Sequence, residues 1–145
     1  MNMQNTVQEL TLRTAHRSQF IEITREVTDA VARSGAQSGL CVVYVPHTTA
    51  AVCINENADP HVRADVEAFV DTLIPEGGKP LMNGFTHNEG NSDSHIKSIL
   101  TGPSVTLLVE NGRLLLGRWQ GIYFAEFDGP RTRNAWVKIF ADAGV

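Results

Sequence analysis

Residues 6–13 (TVQELTLR) alternate in part between apolar and polar side chains, the two-residue period of a half-buried strand. FIEI, residues 20–23, reads as a second strand. From Thr24 the period lengthens: Ile23, Val27, Ala30 and Val31 fall at helical spacing, Thr24 is a capping residue type, and Gly35 can end the helix. GLCVVYV (39–45) and AAVCI (50–54) are apolar at successive positions, so both faces of these strands need cover. Helices can supply one side; a second sheet or another subunit must supply the other. A hairpin turning around His47 would set Cys41 directly opposite Cys53. Asp59-Pro60 is a strong helix start, and Val62, Val66, Phe69, Val70 and Leu73 mark one face until Pro75 and Gly77-Gly78 stop it.

The stretch from Pro75 to Asn91 has no period and reads as a long loop, a class of segment that tends to carry function. A short helix follows near Ser92, with Ile96, Ile99 and Leu100 inward and Gly102-Pro103 ending it. SVTLLVE, Asn111-Gly112 and RLLLG make the clearest hairpin signal, because Asn-Gly suits a type I′ turn. WQGIYFAEF (119–127) continues as a strand, Asp128-Gly129-Pro130 turns the chain, and NAWVKIF (134–140) closes it. Helix and strand alternate too sparsely for a doubly wound sheet, so the order predicts an α+β domain.

Composition narrows the function. At 145 residues the chain has one domain's length, with 42% apolar and 19% charged residues, as in ordinary globular proteins. A net charge of −4 supplies no basic footprint for nucleic acid or an acidic membrane surface. No apolar run approaches the ~20 residues of a spanning helix, and MNMQNTVQEL lacks the basic head and apolar core of a signal peptide. The expectation is a cytoplasmic protein whose two cysteines are buried free thiols.

The chemistry-bearing residues gather at element ends. His47 follows a strand, His87 lies in the long loop, and His95 opens the short helix four residues before Ile99, so its ring points toward the body of the protein. Three imidazoles with an open position suit zinc or a similar divalent ion, although H-x7-H is no zinc motif and a lone histidine more often caps or hydrogen-bonds. Asp93, Glu56 or Glu126 can serve as a fourth ligand, a supporting group or a general base. Asp59 and Asp128 read as a cap and a turn residue, Trp119 and Trp136 as core or interface, and His16 and His61 as surface. Arg131 and Arg133 can bind phosphate, against the plainer role of solvated charge.

HTTAAVCINENADP (47–60), HNEGNSDSHIKSIL (87–100) and SVTLLVENGRLLLGRWQGIYFAEFDGPR (104–131) together resemble the YjbQ family of secondary thiamine-phosphate synthases, from about Phe20 to Phe140. Where family members usually read GTWQ this chain reads GRWQ, with Arg118 in place of threonine. The resemblance implies a strand-rich two-sheet sandwich with three helices, packed as a homotrimer around a threefold axis. It implies a shared site with His47, His87 and His95 as metal ligands, and Asn55, Glu56, Asp93, Trp119, Gln120 and Glu126 as polar neighbours. Thr48 and Thr49 of the HTT motif, with Lys97 and Arg131, complete the expected substrate contacts; Glu126, Asp93 and Glu56 are the candidate catalytic carboxylates. The implied reaction condenses hydroxymethylpyrimidine pyrophosphate with thiazole phosphate and releases pyrophosphate, as a secondary activity. Zinc or magnesium is the expected ion. Two alternatives stand beside it: a metal-dependent hydrolase using the same histidines, and a trimeric ligand-binding module without turnover.

Overall fold

Eight strands and three helices follow one another in the computed structural model, which describes residues 6–144. Residues 1–5, part of the segment read for a signal peptide, lie outside the described residues. The order is β1 (Gln8–Arg13), β2 (Gln19–Glu22), α1 (Thr24–Ser34), β3 (Gly39–Tyr44), β4 (Ala50–Glu56), α2 (Pro60–Leu73), α3 (Ser92–Thr101), β5 (Ser104–Glu110), β6 (Arg113–Leu115), β7 (Gln120–Glu126) and β8 (Thr132–Ala141). Two antiparallel sheets result, one ordered β1-β8-β3-β5-β6 and the other β2-β7-β4. This is the α+β domain that the element order predicts, in the two-sheet sandwich that the resemblance implies.

The sheets face each other across one core. Cys41 and Val43, Leu107 and Val109, and Ala135, Val137 and Ile139 point inward from the larger sheet, meeting Val52, Ile122 and Phe124 of the smaller. Val27, Ala30 and Val31 of α1 close one side of that core. The smaller sheet's outer face carries Ala51 and Ala125, where Phe127, Phe20 and Val70 of α2 pack, and α3 runs beside β4. Among the described residues nothing covers the larger sheet's outer face. Leu40, Tyr44, Leu108, Leu115, Trp136 and Phe140 all project there and all are exposed. β3, apolar on both faces, is therefore covered on one face only among the described residues. Neither tryptophan is a core residue.

Three local expectations need correction. β3 and β4 do not form a hairpin; β3 pairs with β5 and β8, whereas β4 pairs with β7 in the other sheet. Cys41 therefore faces Leu107 and Ile139, Cys53 faces Tyr123, and both are free thiols. Burial pushes the two thiols up to about 12 and about 11, well away from reactivity at neutral pH. Thr24 does not cap α1. Ile23 occupies that position, and the Thr24 hydroxyl donates to Glu22 and accepts the Ile122 N–H instead. α3 is also turned over: Ile99 and Leu100 are exposed, and Asp93, Ser94, Lys97 and Ser98 are buried.

Other readings hold. Gly35 ends α1 with φ 71°, and the Asp59 carboxylate caps α2 by accepting the His61 N–H at 2.9 Å. Asn111 and Gly112 take φ 52° and 72° between paired Glu110 and Arg113, the positive pair a type I′ turn requires. His16 and His61 are exposed.

Candidate functional site

Polar side chains are buried at one end of the sandwich, where β7 turns into β8. Glu126 is the last residue of β7 and has no exposed surface; Arg133, near the start of β8, is 5% exposed. Two inward-facing charges on neighbouring segments are tolerated in the interior only as a pair with most of their remaining lone pairs and protons satisfied. Here all but Arg133 Nη1 find partners among the described residues. Arg133 Nε donates to both Glu126 oxygens at 2.9 and 3.1 Å, and Nη2 donates to Oε2 at 2.5 Å. Glu126 also accepts the Thr14 hydroxyl at 2.7 Å and the backbone N–H groups of Phe127 and Asp128. Arg133 Nη2 reaches on to the Thr49 hydroxyl at 2.8 Å. Gly129 permits this close approach, because a Cβ there would sit 2.8 Å from Thr14 Oγ1 and 2.9 Å from Glu126 Cγ.

Above the pair opens a cleft of about 350 Å³, whose walls include His47, Thr48, Thr49, His95, Arg131 and Arg133. His47 Nε2 accepts the Asn134 N–H at 2.9 Å, so the neutral ring carries its proton on Nδ1. Burial lowers the His47 pKa, and the Arg133 charge adds to that. Asp128 braces the rim. Its carboxylate accepts from Arg131 Nη2 and Asn91 Nδ2, both at 2.9 Å, and from Arg17 Nη1 at 3.4 Å. Burial alone would raise the Asp128 pKa, but those hydrogen bonds and the two arginine charges outweigh it and hold the carboxyl below its ordinary value.

The sequence-derived candidates divide by place. His47, Thr48, Thr49, His95 and Arg131 share the cleft. His87 lies one step away in an adjoining cleft, its ring edge-to-face against His95 with centroids 5.7 Å apart, and its Nε2 is 3.4 Å from Glu89. Glu126 sits beneath the floor and holds Arg133. Asp93 and Lys97 line a different, strongly charged hollow with Arg17 and Asp71. There Asp93 is gripped by Arg17 at 3.0 Å and Lys97 at 3.2 Å, and Lys97 also meets Asp71 at 2.8 Å. Asn55, Glu56, Trp119 and Gln120 gather at the far end of the smaller sheet, where Glu56 pairs with Gln120. Glu56 lies six residue steps along β4 from Ala50, so that end is roughly 20 Å from the histidine cleft.

Among the described residues no group of three or more His, Cys, Asp or Glu side chains is placed to hold a metal ion. The His47 nitrogen bonded to Asn134 is already used, and His87 reaches the cleft only through His95. The three imidazoles as arranged do not form a ligand set.

Asn91, Asp128 and Glu89 line the cleft and were absent from the expected site, and Arg133 was weighed as a phosphate contact against the plainer role of solvated charge. Arg133 carried a readable signal. It shares the inward phase of β8 with Ala135, Val137 and Ile139, a position where arginine demands a buried partner. Asn91 carried none, since its place in the wall depends on how the long loop returns to α3.

A two-sheet α+β sandwich bearing an arginine- and histidine-walled cleft at its β7–β8 corner is the class that fold and site define. The chain belongs to the YjbQ family: the family model described as UPF0047 protein YjbQ-like matches residues 8–142. It is 50% identical over 131 residues to UPF0047 protein MJ1081 of Methanocaldococcus jannaschii, covering 90% of this chain and 91% of the relative. It is 47% identical over 130 residues to UPF0047 protein YugU of Bacillus subtilis, covering 90% and 96%. Among solved structures, a YjbQ/UPF0047 family protein of Clostridium acetobutylicum superposes with a TM-score of 0.86 at 49% identity, over 92% of this chain and 99% of that one. The protein APE1520 of Aeropyrum pernix gives 0.86 at 37% identity, over 94% and 99%.

Proposed function

We propose that the cleft binds a phosphorylated small molecule and that the chain is a transferase of the thiamine-phosphate synthase type. In this reading the thiazole nitrogen attacks the methylene carbon of hydroxymethylpyrimidine pyrophosphate, the carbon–oxygen bond breaks, and pyrophosphate departs with the electron pair. The observation that carries it is the meeting of Arg131 and Arg133 with His47, His95, Thr48 and Thr49 in one cleft. Fixed cationic donors aimed at a leaving oxyanion are the main electrostatic requirement of such a displacement. Among the described residues Nη1 of each arginine has no protein partner, while the other guanidinium nitrogens hold it in place. The neutral His47 ring adds an Nδ1–H donor. The imidazoles as arranged do not form a ligand set, and a divalent ion would act as the companion of the pyrophosphate. The hydrolase alternative loses its expected base, since both oxygens of Glu126 are engaged.

A homotrimer, implied by the resemblance, would cover the outer face of the larger sheet, an apolar surface that the described residues leave exposed. A phosphorylated substrate fits a cytoplasmic protein, and no described helix is long and apolar enough to cross a membrane.

The test is release of pyrophosphate and formation of thiamine phosphate by the purified chain given both substrates and magnesium. Activity is expected to fall about 100-fold or more in Arg131→Ala and to hold in His61→Ala, whose exposed ring is remote from the cleft. Product no greater than with heat-denatured protein would refute the reading.

A further inference from the structure

Arg131 and Arg133 share the cleft but are held differently. Arg133 is 5% exposed and locked to Glu126, whereas the Arg131 side chain is 53% exposed. The holder of Arg131 is Asp128. Its carbonyl accepts from Arg131 Nε at 2.7 Å, and its carboxylate accepts from Nη2 at 2.9 Å. That carboxylate is in turn held from behind, by Asn91 at Oδ2 and by Arg17 at Oδ1. Arg17 stands outside the cleft. Its Nη2 donates to Asp93 at 3.0 Å, and Asp93, 1% exposed, is paired with Lys97, which also meets Asp71. Charges of alternating sign thus run from Arg131 through Asp128, Arg17, Asp93 and Lys97 to Asp71, joining the cleft to the charged hollow of about 380 Å³. The backbone fixes the middle of this series. The Arg17 carbonyl accepts the Gly129 N–H at 3.0 Å, which docks the β1–β2 connection on the turn that carries Asp128.

We propose that Arg17 is a positioning residue for the cleft: by bridging Asp128 and Asp93 it keeps Arg131 in the orientation that meets an anion. What Arg131 meets there rests on the phosphate reading above; the orientation of its guanidinium does not. Asp93 and Lys97, a candidate catalytic residue and a candidate substrate contact by sequence, then act on the cleft only through Arg17. A guanidinium suits the bridge because its two terminal nitrogens serve two carboxylates at once, where an ammonium offers a single nitrogen. Without Arg17, Asp128 Oδ1 would lose its partner and the carboxylate could turn away from Arg131. A half-exposed arginine would then regain its rotamers and have to be ordered again whenever a ligand binds. The buried acid on the other side needs the same bridge, since Asp93 would keep only Lys97 as a cation among the described residues.

Inorganic phosphate and pyrophosphate, titrated into the intact chain by calorimetry, report the anion; the Nε–H signals of the 15N-labelled chain report the guanidinium groups themselves. Arg131→Lys assigns the Arg131 signal. Arg17→Ala is expected to weaken pyrophosphate binding about tenfold, the low end for losing a partner that orients a ligating side chain, and to shift and broaden the Arg131 signal. Arg17→Lys should recover part of both. Asp128→Asn should weaken binding to a similar degree, and adding Arg17→Ala to it should weaken binding no further. A role of Arg17 in the fold alone would instead leave the two losses additive. Should Arg17→Ala not fold, Arg17→Lys and its double variant with Asp128→Asn carry the same comparison. An Arg131 signal unmoved in the Arg17 variants would overturn the positioning role, as would full additivity with Asp128→Asn. A wild-type chain that binds neither anion, with the Arg131 signal still moving in the Arg17 variants, would overturn the phosphate reading and leave the positioning role standing.

Discussion

Arg133 and Glu126 show how far single residues can be read ahead of coordinates. The alternation of β8 places Arg133 on the core-facing phase, and an arginine there must be neutralised and hydrogen-bonded or it destabilises the fold. The sequence also marks Glu126 as a carboxylate between Ala125 and Phe127, but periodicity leaves open whether it faces water or a site. Their meeting depends on the turn at Asp128-Gly129-Pro130 and was not visible in either pattern. Removing one partner leaves the other charged and buried. Glu126→Ala is therefore expected to cost about 3–5 kcal/mol, read as a lower urea midpoint with an unchanged slope. A loss under about 1 kcal/mol would mean that the pair is not holding the corner. His47 adds a pH signature. Its folded-state pKa lies below the ordinary 6.5, so below about that pH the unfolded chain takes up a proton that the native one resists. Native stability should accordingly decline as pH falls from 6.5, and level off once pH passes below the lowered native value. His47→Gln, which keeps an acceptor for the Asn134 N–H, should flatten that part of the profile. Parallel curves for the two proteins would contradict the assignment.

At the scale of elements, the helices test the rule that an apolar stripe points inward. α2 carries one, and it earned the right start at Asp59-Pro60, yet none of its residues is fully buried and Phe69 and Leu73 remain exposed. α3 inverts the rule. Three of its buried positions are polar because each has a specific partner: Ser94 donates to the Phe127 carbonyl, and Asp93 and Lys97 join an ion network that ties α3 to α2 and to the β1–β2 connection. No periodicity reports such partners, which come from other parts of the chain. This is why the sequence located α3 and mistook its face. The weak burial of α2 also makes it sensitive to its cap. Asp59→Ala is expected to cost α2 about 1 kcal/mol and to speed exchange of its amide hydrogens severalfold, with the core strands β3 and β7 unchanged. Equal acceleration in β3 would show that α2 unfolds only with the whole domain.

For the whole molecule, two-sided apolar strands were legible as a demand for cover, and the sandwich meets only half of that demand. The hairpin expected around His47 fails because β3 and β4 belong to opposite sheets. The segment 45–49 crosses between layers instead of reversing within one, and that crossing brings His47, Thr48 and Thr49 to the corner where Arg133 waits. What the described residues leave uncovered is the larger sheet's outer face. Tyr44 stacks on Trp136 with centroids 5.9 Å apart, Leu40 pairs with both Leu108 and Phe140, and Leu108 pairs with Leu115. These side chains form one contiguous patch, flanked by Glu9 opposite Trp136 and by Lys138 against Phe140. An apolar centre with a charged rim is the anatomy of a protein interface, and a patch of large residues left in water favours self-association. On the proposed assembly, sedimentation equilibrium should return three chains at micromolar concentration. Leu40→Glu with Trp136→Glu should return one, with the far-ultraviolet spectrum unchanged because neither residue contributes to the core. A wild-type monomer would remove the trimer from the proposal. A variant that stays trimeric would move the interface elsewhere, to the exposed apolar residues of α2 and α3.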